Sequence, residues 1–104
     1  MIMEMWRQGD LLFVKADSIP ERAIQQKNNV ILRGEATGHS HRLENGKIFR
    51  SLMWARSTTE IWIKVGEDGR VIHEEHKTLE LPQGTYQIIR QREFNPFENR
   101  LVMD

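Results

Sequence analysis

The sequence contains no cysteine among its 104 residues, and this absence removes two kinds of site. A disulfide framework and a thiolate-ligated zinc site are both excluded. A metal ion bound by this chain would have to be held by imidazole and oxygen ligands. A chain without disulfides also suits the cytoplasm, and we expect the protein to reside there.

Long apolar runs and an excess of charge of one sign are missing as well. No apolar run approaches the roughly 20 residues of a membrane-spanning helix, so no membrane span is predicted. The 15 basic and 15 acidic residues give a formal net charge of zero. This balance argues against a protein that coats nucleic acid by bulk electrostatic attraction, although it leaves room for a local basic patch. Glycine-rich phosphate loops, dinucleotide fingerprints and nucleophilic serine elbows are also absent from the sequence.

Short apolar segments separated by turn residues predict a mostly β protein. Its length fits one domain over residues 1–104, with an irregular tail from about residue 94. One short helix is predicted from Pro20 to about Gln26, because a proline suits the first helical turn. We therefore expect a small single-domain β-barrel or sandwich with at most one short helix. The predicted strands are Leu11–Val14, Val30–Leu32, Ile61–Val65, Arg70–His73 and Tyr86–Arg90.

A hairpin is predicted at Asn45-Gly46. This dipeptide is the preferred two-residue type I′ turn, since both of its central positions need a positive φ. The resulting register places Arg50 directly across from His41. It also places His39 and His41 on one face, because side chains repeat every two residues along a strand.

All four histidines lie in two short segments. One segment is Gly38-His39-Ser40-His41-Arg42, and the other is His73-Glu74-Glu75-His76. A His-x-His sequence on a strand directs both rings to one side, where they can ligate one cation at roughly 2.0–2.1 Å. The alternative is a solvated hairpin and an exposed charged loop without a chemical role. The concentration of every histidine in two places favours a site.

The first interpretation is a pocket that binds divalent zinc, manganese or iron and supports hydrolytic or small-molecule chemistry. His39 and His41 are the strongest candidate ligands. If both segments serve one ion, the ring of His76 should lie roughly 5 Å from that of His41. The full set of candidate ligands comprises the histidines and nearby carboxylates, namely His39, His41, Glu44, His73, Glu75 and His76.

Two motifs between residues 34 and 87 add to this interpretation. The first is a pattern of glycine, His-x-His, glutamate and glycine, formed by Gly34, His39, His41, Glu44 and Gly46. The second is Pro82-Gln83-Gly84, followed three residues later by Gln87. Together they resemble the two metal motifs of the cupins, small β-barrels whose second motif has a histidine at the position of Gln87. The resemblance implies a site for iron, manganese or zinc, in which His73 or His76 supplies the missing ligand. Cupin activities range from oxygenase to isomerase to simple binding, so the resemblance does not choose a substrate.

The arginines near the histidines support a second interpretation. Arg42 follows His41, and Arg50 is expected opposite it, where a guanidinium would repel a metal cation and suit a phosphate. His41 and His76 would then act as general acid and base on a phosphodiester without a metal, as a ribonuclease does. The substrate would be a phosphate-bearing molecule.

The C-terminal segment supports a third interpretation, a non-enzymatic adaptor that binds a protein or a nucleic acid. Cationic and aromatic side chains together can contact phosphates and stack on bases. The plainer alternative is a solvated edge strand with phenylalanines that cover the end of the barrel. The sequence leaves open whether the protein is an enzyme and whether it forms an oligomer. The residues concerned are Arg90, Arg92, Phe94, Phe97 and Arg100.

Overall fold

The structure is a computed structural model that describes residues 4–34, 38–53 and 58–90. Only the backbone is described for residues 52, 53 and 58. Across these ranges the chain forms strands and no helix, and thus no helix long and apolar enough to cross a membrane. The strands are β1 (Met5–Gln8), β2 (Leu11–Lys15), β3 (Ile24–Gln26), β4 (Val30–Arg33), β5 (Ser40–Met53), β6 (Thr58–Ile72), β7 (Leu79–Glu80) and β8 (Gly84–Arg90).

All eight strands join one antiparallel sheet. The order along the sheet is β1, β2, β8, β6, β5 and β3, while β4 also pairs with β5 and β7 with β6. In the part of the chain that the structure describes, β1 and β3 end this path without pairing with each other. The prediction of a mostly β single domain is therefore confirmed, with an open sheet in place of a closed barrel.

The core is built from side chains that alternate along the central strands. Ile63 and Tyr86 are directly paired across β6 and β8, and both are fully buried. Leu43 and Val71 are paired across β5 and β6 and are also buried, which extends the core towards the end of the sheet that carries the histidines. The buried core residues are Leu11, Phe13, Ile31, Leu43, Ile48, Ile63, Val65, Val71, Leu81, Tyr86 and Ile88.

The helix predicted from Pro20 to Gln26 is wrong. The amide of Ala23 donates to the carbonyl of Pro20 at 3.0 Å, so this proline begins a turn and not a helix. The residues that follow form β3, which pairs with residues 48–50 of β5. Pairing with a long neighbouring strand outweighs the weak local preference of so short a segment for helix.

The hairpin predicted at Asn45-Gly46 is also wrong, because β5 continues through this dipeptide. Asn45 does have the expected positive φ, 61°, but it forms a bulge at which the register with β6 shifts. Glu44 pairs with Arg70 and Gly46 pairs with Val65, so residues 66–69 of β6 stand outside the regular pairing. The two strands predicted on either side of residues 66–69 therefore belong to one strand, β6.

Candidate metal centre

The histidine-bearing segments meet the β1–β2 turn at one end of the sheet. Gln8 pairs with Leu11, which leaves Gly9 and Asp10 as a two-residue turn between these strands. The pairing of Arg42 with Ile72 brings the start of β5 beside the end of β6. Each histidine segment therefore reaches this end of the sheet through strand register, although the segments are far apart in sequence.

The four imidazole rings, called the histidine cluster below, form one group. The ring centroid of His73 lies 4.4 Å from that of His41, 4.5 Å from that of His76 and 5.7 Å from that of His39. The rings of His41 and His76 are 6.0 Å apart and almost parallel, somewhat farther than the expected separation. The two sequence segments thus contribute to a single cluster with His73 at its centre.

His41 is the buried member of the cluster, and Gln8 fixes its orientation. The amide nitrogen of Gln8 donates to the carbonyls of Val71 at 2.8 Å and Lys77 at 2.9 Å. The amide oxygen of Gln8 therefore faces Nδ1 of His41, 2.8 Å away, and accepts a hydrogen bond from it. In the neutral ring the proton lies on Nδ1, and the lone pair on Nε2 points towards Asp10, whose Oδ1 is 3.6 Å away.

The surroundings of His41 keep its ring neutral at pH 7. Burial has the largest effect and lowers the pKa of His41 to about 4, assisted by the nearby rings of His73 and His76. The carboxylate of Asp10 acts in the opposite direction but does not offset these effects. Burial and the neighbouring His76 also lower the pKa of His73. Neutral imidazoles carry the lone pairs that metal coordination requires.

Two glutamates stand at the exposed side of the cluster. Nδ1 of His39 donates to Oε1 of Glu75 at 3.0 Å, an arrangement that outer-shell carboxylates commonly adopt beside metal-bound histidines. Glu74 accepts hydrogen bonds from the side chain of Arg42 at 2.7 Å and from the amide of Ser40 at 2.9 Å. The hydrogen bond from Arg42, followed by that from Ser40, lowers the pKa of Glu74 to about 2, so this carboxylate is ionised.

Three residues bring donor atoms close enough for one ion. His39, His73 and Glu74 each offer one donor atom, and all three atoms lie within 4.8 Å of one another. Ligands of one tetrahedral zinc ion are separated by about 3.4 Å, since each lies roughly 2.0–2.2 Å from the metal. Donor atoms as far apart as 4.8 Å would therefore have to approach one another by up to about 1.4 Å, a movement that side-chain rotation can provide.

The region that builds the cluster also matches a family model. Residues 7–91 match the model described as Domain of unknown function (DUF8820), and they include all four histidines together with Gln8 and Asp10. The chain belongs to the DUF8820 family. Neither a curated protein nor a solved structure matches the chain.

Two predicted site residues lie elsewhere in the DUF8820 domain. Glu44 is on the exposed side of β5 and pairs with Arg70, with Nε and Oε1 3.6 Å apart, whereas His41 and Leu43 alternate with it and are buried. Arg50 pairs with Ile61 on β6 and hydrogen-bonds to the side chain of Gln26. The placement of Arg50 opposite His41 is thus wrong, because Asn45 forms a bulge and not the hairpin turn that this register needed.

Of the predicted phosphate-binding and partner-binding residues of the DUF8820 domain, two arginines lie near the histidine cluster. Arg42 lies beside the cluster, but its guanidinium is bound to Glu74. Arg90 lies close to the cluster, with Nε 3.4 Å from Oδ2 of Asp10. The remaining residues predicted for partner binding fall outside the described ranges, namely Arg92, Phe94, Phe97 and Arg100.

Sequence reasoning did not find four residues that shape the site of the DUF8820 domain. Gln8, Gly9 and Asp10 look like an ordinary turn before an apolar strand, and nothing local links them to histidines more than 25 residues away. Glu74 lies inside the second histidine segment, but the sequence does not distinguish it from Glu75 as a ligand. The signal that could have identified Glu74 is its place directly after His73, at the end of a strand.

Proposed function

We propose that the DUF8820 domain binds a divalent metal ion at the histidine cluster, with His39, His73 and Glu74 as the core ligands. The supporting observation is the convergence of their donor atoms within 4.8 Å. A set of imidazole nitrogens and a carboxylate oxygen suits zinc, manganese or iron. Glu75 would act on this ion indirectly, by holding the ring of His39.

The charges around the cluster support a cation over a phosphate. Three carboxylates surround the rings, those of Asp10, Glu74 and Glu75. The two nearby arginines are each paired with one of these carboxylates, Arg42 with Glu74 and Arg90 with Asp10. A phosphate would have to approach acidic groups whose arginine partners are already engaged. Arg50, which the metal-free phosphodiester mechanism needs beside His41, is instead bonded to Gln26. We therefore prefer the metal proposal.

Coordination by His73 has a structural consequence. Nδ1 of His73 accepts hydrogen bonds from the backbone amides of Glu75 at 3.0 Å and His76 at 3.3 Å. If Nε2 ligates the metal as a neutral imidazole, the ring proton moves to Nδ1 and both hydrogen bonds are lost. This costs about 1–3 kcal/mol at most. The loss is small beside the roughly 10 kcal/mol or more that structural zinc sites provide.

The bound ion would give the domain a chemical role. When bound, a divalent ion of this kind supplies Lewis acidity for hydrolytic or small-molecule chemistry. A relationship to the cupins belongs to the same proposal, with Glu74 in the role that the resemblance gave to Glu44. The absence of cysteine keeps the cytoplasm as the proposed location.

Calorimetric zinc titration of the untagged protein tests this proposal. We expect His39→Ala and Glu74→Gln each to weaken the binding of the core ion by at least about tenfold, because each removes a ligand. Glu67→Gln is the matched control, since Glu67 is an exposed glutamate on the irregular part of β6. Equal zinc affinity in all four proteins would refute the assigned ligands.

A further inference from the structure

Gln8 is a buried polar residue whose hydrogen-bonding groups all have partners around the histidine cluster. Only 3% of its surface is exposed. Its amide nitrogen is held by two backbone carbonyls, and its oxygen accepts from Nδ1 of His41. A rotated amide would bring its nitrogen towards the imidazole and its oxygen towards two other acceptors, so one orientation is strongly preferred. Gln8 therefore selects the tautomer of His41 and leaves its lone pair on Nε2.

The contact between Nε2 of His41 and Oδ1 of Asp10 is unusual for its distance. The separation of 3.6 Å is too long for a direct hydrogen bond. It is too short for a bridging water, which would hold two acceptors about 4.6 Å apart at normal hydrogen-bond lengths. A cation bonded to both atoms at roughly 2.0–2.1 Å would subtend an angle of about 120°, close to the geometry that zinc accepts.

We infer that Nε2 of His41 and Oδ1 of Asp10 are the protein donors of a second cation position, and that Gln8 is its positioning residue. The inference rests on the proposed function, because it places this position beside the core ion. Its protein donors are one neutral imidazole and one carboxylate, so solvent or substrate oxygens would complete the coordination. The ligand class is a divalent cation with nitrogen and oxygen preference, such as zinc or manganese.

Two further contacts shape this second position. Nε of Arg90 lies 3.4 Å from Oδ2 of Asp10, which leaves Oδ1 facing His41. The ring of His76 lies over Gly9, so close that a Cβ at Gly9 would be 2.6 Å from Nε2 of His76. The glycine of the turn thus allows His76 to pack against the β1–β2 turn, while Arg90 holds the second oxygen of Asp10.

The second position is distinct from the core position. Among the described residues, the donor group within 4.8 Å comprises His39, His73 and Glu74, and His41 is not part of it. The ring of His73 nevertheless lies 4.4 Å from that of His41, so the two positions are neighbours. Pairs of divalent ions about 3.5–4 Å apart recur in hydrolytic enzymes, where they bind the attacking and leaving oxygens. Two adjacent ions would favour the hydrolytic form of the proposed function.

Zinc stoichiometry separates the two positions. We expect the untagged wild-type protein to bind two zinc ions and Asp10→Asn to bind one, while Asp17→Asn, an exposed control, still binds two. His39→Ala should weaken the binding of the core ion. The zinc that this variant still binds at the second position should be lost when Asp10→Asn is added. One zinc in the wild-type protein, lost in His39→Ala and unaffected by Asp10→Asn, would overturn the second position alone. No zinc in the wild-type protein would overturn the proposed function and the second position together.

Nitrogen-15 NMR of the metal-free protein tests the role of Gln8 independently of any metal. Long-range proton–nitrogen spectra should show His41 protonated at Nδ1 in the wild-type protein and in the control Gln25→Met. In Gln8→Met, which preserves side-chain length, this pattern should be lost and zinc affinity at the second position should fall about 10–100-fold. A wild-type His41 protonated at Nε2, or an unchanged tautomer in Gln8→Met, would overturn the role of Gln8.

Discussion

The ring centroids of His41 and His73 lie 4.4 Å apart, with the ring planes tilted by 42°. His41 belongs to β5 and His73 directly follows β6, and the pairing of Arg42 with Ile72 brings the two residues together. The histidine cluster is therefore a product of strand register. Changes that disturb this end of the sheet should alter the cluster without any change to a histidine.

Gly9→Ala should be more damaging than Gly38→Ala. Both glycines have positive φ, 60° and 77°, so either alanine costs about 1 kcal/mol in backbone strain. At Gly9 the new Cβ would also overlap the ring of His76, whereas at Gly38 no described atom lies within 4 Å of it. We expect Gly9→Ala to lower the free energy of unfolding by roughly 1 kcal/mol more than Gly38→Ala. Urea unfolding of both variants measures this difference, and equal losses would contradict the packing of His76 on Gly9.

His41→Ala and His39→Ala should differ in stability in the absence of metal. His41 is 5% exposed, and its removal leaves a cavity and an unpaired oxygen on Gln8. We expect a loss of roughly 2–4 kcal/mol. His39 is partly exposed and its contact with Glu75 is at the surface, so His39→Ala should cost less than about 1 kcal/mol. Urea denaturation in the presence of a chelator compares the two, and similar losses would contradict the buried role of His41.

The stability of the metal-free protein should decrease as the pH falls from 6.5 to 4. The pKa of His41 is lowered to about 4 in the folded chain, while the unfolded residue titrates near 6.5. In this interval the unfolded state binds more protons, so acid favours unfolding by roughly 3 kcal/mol in total. Glu74 acts in a lower window, because its pKa is lowered to about 2 and its stabilising effect is lost only as the pH falls below 4.5.

The control for this pH dependence is His41→Gln. A glutamine amide can still donate to Gln8 but does not titrate. Unfolding free energies measured with a chelator between pH 4.5 and 7.5 should therefore vary less in His41→Gln than in the wild-type protein. Identical pH profiles for the two proteins would show that His41 is not the titrating group.

Zinc binding should rearrange the bend formed by residues 73–76. Coordination through Nε2 of His73 removes the hydrogen bonds that its Nδ1 accepts from Glu75 and His76. The amide protons of these two residues should shift upfield on addition of zinc, as expected for lost hydrogen bonds. The amide of Ala23, which donates to Pro20 in a distant turn, should not move. Unchanged amide shifts at residues 75 and 76 in zinc-loaded protein would argue against His73 as a ligand.

The sequence predicts β2, β4 and β8 because their signals are local, whereas β1, β3 and β7 are not predicted. Apolar residues in short runs between turn residues mark β2, β4 and β8 without reference to any partner. Asn45 likewise has the positive φ that asparagine tolerates. Whether such a residue makes a turn or a bulge depends on the strand that pairs with it. The residues around Asn45 do not reveal that pairing.

The candidate site was predictable only in part, for the same reason. All four histidines lie in two short segments, and this concentration alone predicts that the two segments form one site. The contributions of Gln8 and Asp10 depend on the pairing of β1 with β2 and of β2 with β8, contacts between distant segments. A glutamine and an aspartate beside a glycine turn are too common to indicate such a role.

This domain is proposed to carry a metal at the histidine cluster. Elemental analysis of wild-type protein purified without a histidine tag tests it most directly, with a His39→Ala and His73→Ala double variant prepared in parallel. We predict at least one equivalent of zinc, manganese or iron per wild-type chain and about one equivalent less in the double variant, which lacks two ligands of the core ion. A metal-free wild-type protein that also fails to take up these ions on reconstitution would contradict the proposal, as would a double variant that retains the full metal content.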